Sequence, residues 1–213
     1  MDLGEVEQLR EDFGEFIAEV FSLLKRRDQR GWVDCYLRGL TLDGRRKSVE
    51  PMAERLPDGN MQAMQQFVSQ STWDHTPVLQ AVASRLCEVI APQTWVIDDA
   101  SFLKAGDQSV GAARQWCGAL DKKSLCQVGV SLHAVTDAVS VLLSWRLFLP
   151  EEWADPGDER RAKAGVPEGM GHRERWRLAL DVVNEALGWG LAGRVVVVDA
   201  RVRSDACLPG RAG

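Results

Sequence analysis

The 213-residue chain has no Cys-x-x-Cys pair: Cys35, Cys87, Cys117, Cys126 and Cys207 are scattered and odd in number. That excludes a disulfide framework and the common zinc signatures, and it suits a reducing cytoplasm. His75, His133 and His172 are the only histidines and lie too far apart for a metal-binding spacing. No apolar run approaches the ~20 residues of a membrane span, and no cationic-then-apolar leader opens the chain. A soluble, cytoplasmic protein without membrane contact is expected. Positive charge is not in excess either, because a net charge of −5 argues against a dedicated nucleic-acid-binding module. Local basic clusters do occur at Lys25-Arg26-Arg27, Arg45-Arg46-Lys47, Arg160-Arg161-Ala162-Lys163 and Arg173/Arg175/Arg177. Their simplest reading is solvated helix ends and loops. Eight tryptophans against one tyrosine suggest a well-filled core and name no function.

What the chain does have is order. Leu3, Val6, Leu9, Phe13, Phe16, Ile17, Val20, Phe21 and Leu24 recur at helical spacing, which predicts an amphipathic helix over 3–27 ending on Lys25-Arg26-Arg27. Further helices are expected over 30–40, closed by Gly39, after Ser48, over 60–71 with Asn60 as cap, and from Pro77 to Ile90. Residues 1–93 therefore read as a helical N-terminal region.

From Thr94 the period changes. Thr94-Trp95-Val96-Ile97 is a buried strand that ends in two carboxylates, Asp98-Asp99. Cys126–Ala134 and Val139–Leu149 read as an antiparallel hairpin, Pro150 to Gly171 as a polar loop, and Arg173–Leu187 as a helix stopped by Gly188 and Gly190. Arg194–Asp199 is a second buried strand delivering a carboxylate to its end. Hairpin, crossover helix and continuous apolar strand predict a mixed sheet with the last strand parallel and central. The fold class is α/β (α+β), with a sheet domain over 94–200 and an irregular tail over 201–213 that has no core face.

Carboxylates at the ends of neighbouring strands are a standard way to hold Mg²⁺ or Mn²⁺, since hard cations take oxygen ligands. The competing reading is that each Asp caps a strand or starts a turn. Two such acids, and the order of segments around them, weigh against that second reading. Val96-Ile97-Asp98-Asp99-Ala100-Ser101-Phe102-Leu103-Lys104-Ala105-Gly106 is followed by Ser109-Val110-Gly111-Ala112-Ala113-Arg114-Gln115-Trp116-Cys117-Gly118. Then come Cys126-Gln127-Val128-Gly129-Val130-Ser131, Leu149-Pro150-Glu151-Glu152-Trp153 and Val195–Ala200. This arrangement resembles the catalytic domain of bacterial insertion-sequence transposases of the DDE type.

The resemblance implies an RNase H-like fold, here an incomplete one, and metal-dependent DNA cleavage and strand transfer at transposon ends. It also implies Mg²⁺ or Mn²⁺ as cofactor, and DNA, with a homo-oligomer assembled on it, as partner. Carried over by position, the first catalytic acid falls in Asp98-Asp99. The Asp-x-Ser/Thr pattern selects Asp99, and Asp98 is then a neighbour pairing with Lys104 or Arg114. The second acid is Asp199, so Asp99 and Asp199 are the expected metal ligands. Lys104, Arg114 and Gln115 match positions near the site or its DNA-backbone contacts; structural hydrogen bonding in the turn and hairpin is the alternative for them. The family's third acid, a Glu on a later helix, has no counterpart here, since Glu151, Glu152, Glu174 and Glu185 all precede Asp199. Arg201-Val202-Arg203 also replaces the family's Gly-Tyr-Gly, which a one-base shift would restore. A frameshifted or truncated, inactive fragment is therefore expected, with a non-catalytic DNA-binding or regulatory fragment as the alternative.

Overall fold

The computed structural model describes residues 2–155, 157–193, 195–199 and 202. The chain forms two compact units, Met1–Ala81 and Val82–Gly213.

The first unit is helical: α1 (Leu3–Phe21), α2 (Arg27–Thr41), α3 (Val49–Arg55), α4 (Met61–Gln70) and the start of α5 (Thr76–Ile90). Asp2 and Glu5 form a reciprocal capping box at α1, and Asn60 caps α4 by accepting from the Ala63 N–H at 3.0 Å. Two boundaries differ from expectation. α1 stops at Phe21, so Lys25-Arg26-Arg27 leads into α2 instead of closing α1. Arg26 there pairs with Asp28 at 2.6 Å, an acid that suits the first turn of α2. Gly39 does not end α2 but lies inside it. A Cβ there would come within 3.1 Å of the Met52 Cβ, so the glycine lets α2 and α3 approach closely. Cys35, Met52, Ala53, Leu56 and Met64 form the core of this unit.

The second unit carries the sheet: β1 (Thr94–Leu103), β2 (Ala113–Cys117), β3 (Lys122–Val135), β4 (Ser140–Phe148) and β5 (Val195–Val198). Helices α6 (Glu159–Lys163) and α7 (Arg175–Gly188) lie between β4 and β5 in sequence. β3 is the spine. One side pairs antiparallel with β1 along its whole length, and the other takes β2 and β4 in tandem. β5 joins the free side of β1 in parallel, from Thr94↔Val195 to Ile97↔Val198. The mixed α+β architecture, the hairpin and the parallel last strand agree with the sequence reading, and the arrangement is consistent with an RNase H-like fold.

Two expectations are corrected. β1 does not stop at Asp98-Asp99 but continues to Leu103, because β3 goes on supplying hydrogen-bond partners after β5 has ended. β5 is also not central among the described residues. It borders only β1, which leaves Val195, Val196 and Val197 about half-exposed.

The period-2 alternation of β1 divides the sheet into two faces. Trp95 and Ile97 join Val128, Val130, Leu132 and Ala134 under Leu178, Ala179, Val182 and Ala186 of α7, forming the core. The other face holds Asp98, Phe102, Leu142 and Trp145, all exposed. Val202 is fully buried in the α7-side core, against the expectation that the tail has no core face. Arg194, Ala200, Arg201 and 203–213, where the last strand begins and the frameshift is expected, lie outside the described residues.

The polar loop after β4 is more organised than its composition suggests. Trp153 is fully buried and donates from Nε1 to the Ala112 carbonyl at 3.0 Å. Arg161, 4% exposed, donates to the carbonyls of Trp153, Pro167 and Met170. Arg160 ion-pairs with Asp158 and lies over the Trp153 ring. Two cations of this basic cluster are therefore loop struts.

Candidate functional site

The parallel pairing of β1 and β5 ends where the acids begin. Asp199 is the first residue beyond β5, and its N–H donates to the Ile97 carbonyl at 3.0 Å. This sets Asp199 beside the Asp98-Asp99 backbone, at the carboxyl end of β5 and at the point along β1 where the parallel pairing stops.

The two neighbouring acids differ sharply. Asp98 is exposed on the open face, and its Oδ1 accepts the Asp99 N–H at 2.8 Å. Asp99 points toward α7, with its side chain 8% exposed, and its Oδ2 lies 3.2 Å from Nη1 of Arg175. Arg175 opens α7 and stacks over the Phe148 ring at 4.8 Å. An ion pair for the first acid pair was expected on Asp98, through Lys104 or Arg114; the pair observed belongs to Asp99 and comes from α7. Sequence reasoning passed over Arg175 as one of three clustered arginines. The structure separates them: Arg173 pairs with Asp181, Arg177 with Glu174, and Arg175 with Asp99. No sequence periodicity distinguishes the third from the other two.

Lys104 is partly exposed just after β1, where its N–H donates to the Leu125 carbonyl, and Arg114 is exposed on β2. Gln115 is bound into the hairpin, its Nε2 donating to the Cys126 carbonyl at 2.9 Å. Arg114, Gln115, Phe148, Glu151, His172 and Arg175 line one cavity of about 480 Å³. Arg175 thus belongs both to this cavity wall and to the ion pair with Asp99. Cys117 and Cys126 are buried free thiols, and burial pushes the Cys126 thiol up, as does the neighbouring Cys117. The described cysteines form no disulfide.

On the open face, His133 lies between the Ser131 and Ser140 hydroxyls, at 3.1 and 3.4 Å. Burial lowers its pKa from the ordinary 6.5, and the Asp98 charge opposes this only in part. The unfolded chain therefore takes up this proton first as pH falls. Stability contributed by neutral His133 is complete above about pH 6.5 and is lost as acidity carries the solution down toward the lowered folded value. His133→Gln is expected to flatten this slope between pH 7 and 5 in denaturant titrations; an unchanged slope refutes the assignment.

The acids suit a hard divalent cation in donor chemistry but not in number. Among the described residues no group of three or more His, Cys, Asp or Glu side chains gathers to hold a metal ion. Asp99 is moreover already balanced by a protein cation. As it stands, the site does not fit a resident metal.

Residues 19–205 match the family described as DDE superfamily endonuclease, and the chain belongs to that family. It is 25% identical over 130 residues to the "Probable transposase for insertion sequence element IS701" of Microchaete diplosiphon. That match covers 60% of this chain and 34% of the relative, so the chain spans about a third of the relative's length. No helix among the described residues is long and apolar enough to cross a membrane.

Proposed function

We propose that the chain is the part of an insertion-sequence transposase that carries the first two acids of its cleavage site, Asp99 and Asp199. DNA at transposon ends is the substrate, and a homo-oligomer is the working form on DNA. The carrying observation is the juxtaposition of Asp199, just beyond β5, with the Asp98-Asp99 pair inside β1 where its pairing with β5 stops. In the completed site, Mg²⁺ or Mn²⁺ would supply Lewis-acid stabilisation of the oxygens exchanged at phosphorus. Asp99 and Asp199 would hold the ion, with Asp98 at the solvent side. Lys104 and Arg114 offer cations for the DNA backbone, while the bonds of Gln115 to Gly111 and Cys126 favour a structural role.

Two carboxylates place a metal poorly, so this chain alone is expected to bind Mn²⁺ weakly and to nick end DNA little or not at all. Mn²⁺ titration and a nicking assay check this, with Asp199→Asn alongside. Robust nicking lost in Asp199→Asn would show that two acids suffice. Mn²⁺ binding unchanged by Asp199→Asn would overturn the site. The small number of gathered acids also favours a second reading, a fragment that binds ends without cutting them. Affinity for end DNA that falls with salt, as counterion release requires, and is unaffected by Asp199→Asn would support it.

A further inference from the structure

Arg175 is held as firmly as the acid it meets. Its side chain is 12% exposed against 8% for Asp99, so solvent and salt screen the pair poorly. Phe148 stacks on the guanidinium, and Leu178, Ala179 and Val182 fix the helix behind it against the sheet. We propose that Arg175 is a built-in counter-cation for the first carboxylate of the site, standing in the electrostatic place of a divalent ion at Asp99, so that a metal must outcompete it to be held. The inference rests on the reading of Asp99 as a metal ligand.

The charge count gives the reason. Asp99 brings one negative charge to the site, and the guanidinium cancels it before any ion arrives. A guanidinium on one carboxylate oxygen also takes a lone pair that a small cation would need. The displaced arginine has somewhere to go, because the cavity it lines carries Glu151 and Glu152. A swing toward those acids would exchange one carboxylate partner for another without stranding the charge. The arrangement gives Asp99 a protein cation while no metal is present and makes metal capture depend on moving one side chain.

The test is Mn²⁺ affinity of the 213-residue chain by electron paramagnetic resonance, for wild type, Arg175→Met, Arg175→Lys, Asp99→Asn and the Arg175→Met/Asp99→Asn double variant. Arg175→Met is expected to tighten Mn²⁺ binding about tenfold, the equivalent of one charge-assisted hydrogen bond removed from the competitor. The double variant is expected to lose that gain. A cooperatively folded Arg175→Met that binds Mn²⁺ no more tightly than wild type overturns the proposal. Should Arg175→Met not fold, Arg175→Lys decides. Its ammonium keeps the charge but not the planar stack on Phe148, so a smaller tightening is expected, and an unchanged affinity overturns the idea. If Asp99→Asn weakens binding while neither Arg175 variant strengthens it, only the counter-cation inference fails. If Asp99→Asn changes nothing in either background, the metal-ligand reading itself has failed.

Discussion

Trp153→Ala is expected to cost the sheet-bearing unit about 3–5 kcal/mol, the usual range for emptying a fully buried tryptophan site. Trp153 is completely buried, and its Nε1–H satisfies the Ala112 carbonyl across 41 residues of sequence. Its own carbonyl receives Arg161, and Arg160 lies over its ring. The substitution therefore opens a cavity, orphans a buried acceptor and removes an anchor of the loop between β4 and α7. Urea unfolding followed by tryptophan fluorescence and circular dichroism measures the loss. A cost below about 1.5 kcal/mol would mean that the loop holds without this anchor. Trp153→Phe, which keeps most of the volume but not the donor, should fall between the two.

Gly111→Val is expected to cost about 2–4 kcal/mol through backbone strain together with a steric clash. Gly111 has φ of +75°, a region that β-branched residues scarcely occupy, and a Cβ there would lie 2.9 Å from the Phe148 carbonyl oxygen. Phe148 is also the ring beneath Arg175, so relief of the clash would disturb the cavity wall. Gly106, another glycine in the motif, is the internal control: a Cβ added there meets nothing within 4 Å, and Gly106→Ala should be nearly neutral. Equal costs for the two would show that steric approach at Gly111 is not what the motif requires. Thermal unfolding of both variants separates these outcomes.

The local elements were legible because their signals are local. Asn60 reads as a cap from its place before an apolar helical run, and the 126–149 hairpin reads from two alternating runs around a short turn. Elsewhere the same kind of evidence misled. Gly39 has the composition of a helix stop, yet its role is to admit Met52, a contact whose partner lies on another helix. The acids after Ile97 looked like a strand end because charge seldom occupies a buried strand. They are tolerated because β3 pairs their backbone, solvent takes Asp98, and Arg175 takes Asp99. The valines of β5 suggested a central strand, but hydrophobicity does not count neighbouring strands: among the described residues β5 pairs with β1 alone, and its valines stay about half-exposed.

By itself the sequence determined the α+β division of the chain, most helix and strand positions, the parallel last strand, and where Asp98-Asp99 and Asp199 stand along it. Those features follow from periodicity, capping residues and the order of motifs, all of which act over a few residues. Only the tertiary structure decided that Asp98 and Asp99 face opposite sides of one sheet, that Asp199 lies beside them, and that Arg175 is the cation on Asp99. Each of those depends on strand register and on the crossover that returns α7 to the sheet. Contacts made between residues 76 positions apart are set by packing, which no local pattern encodes.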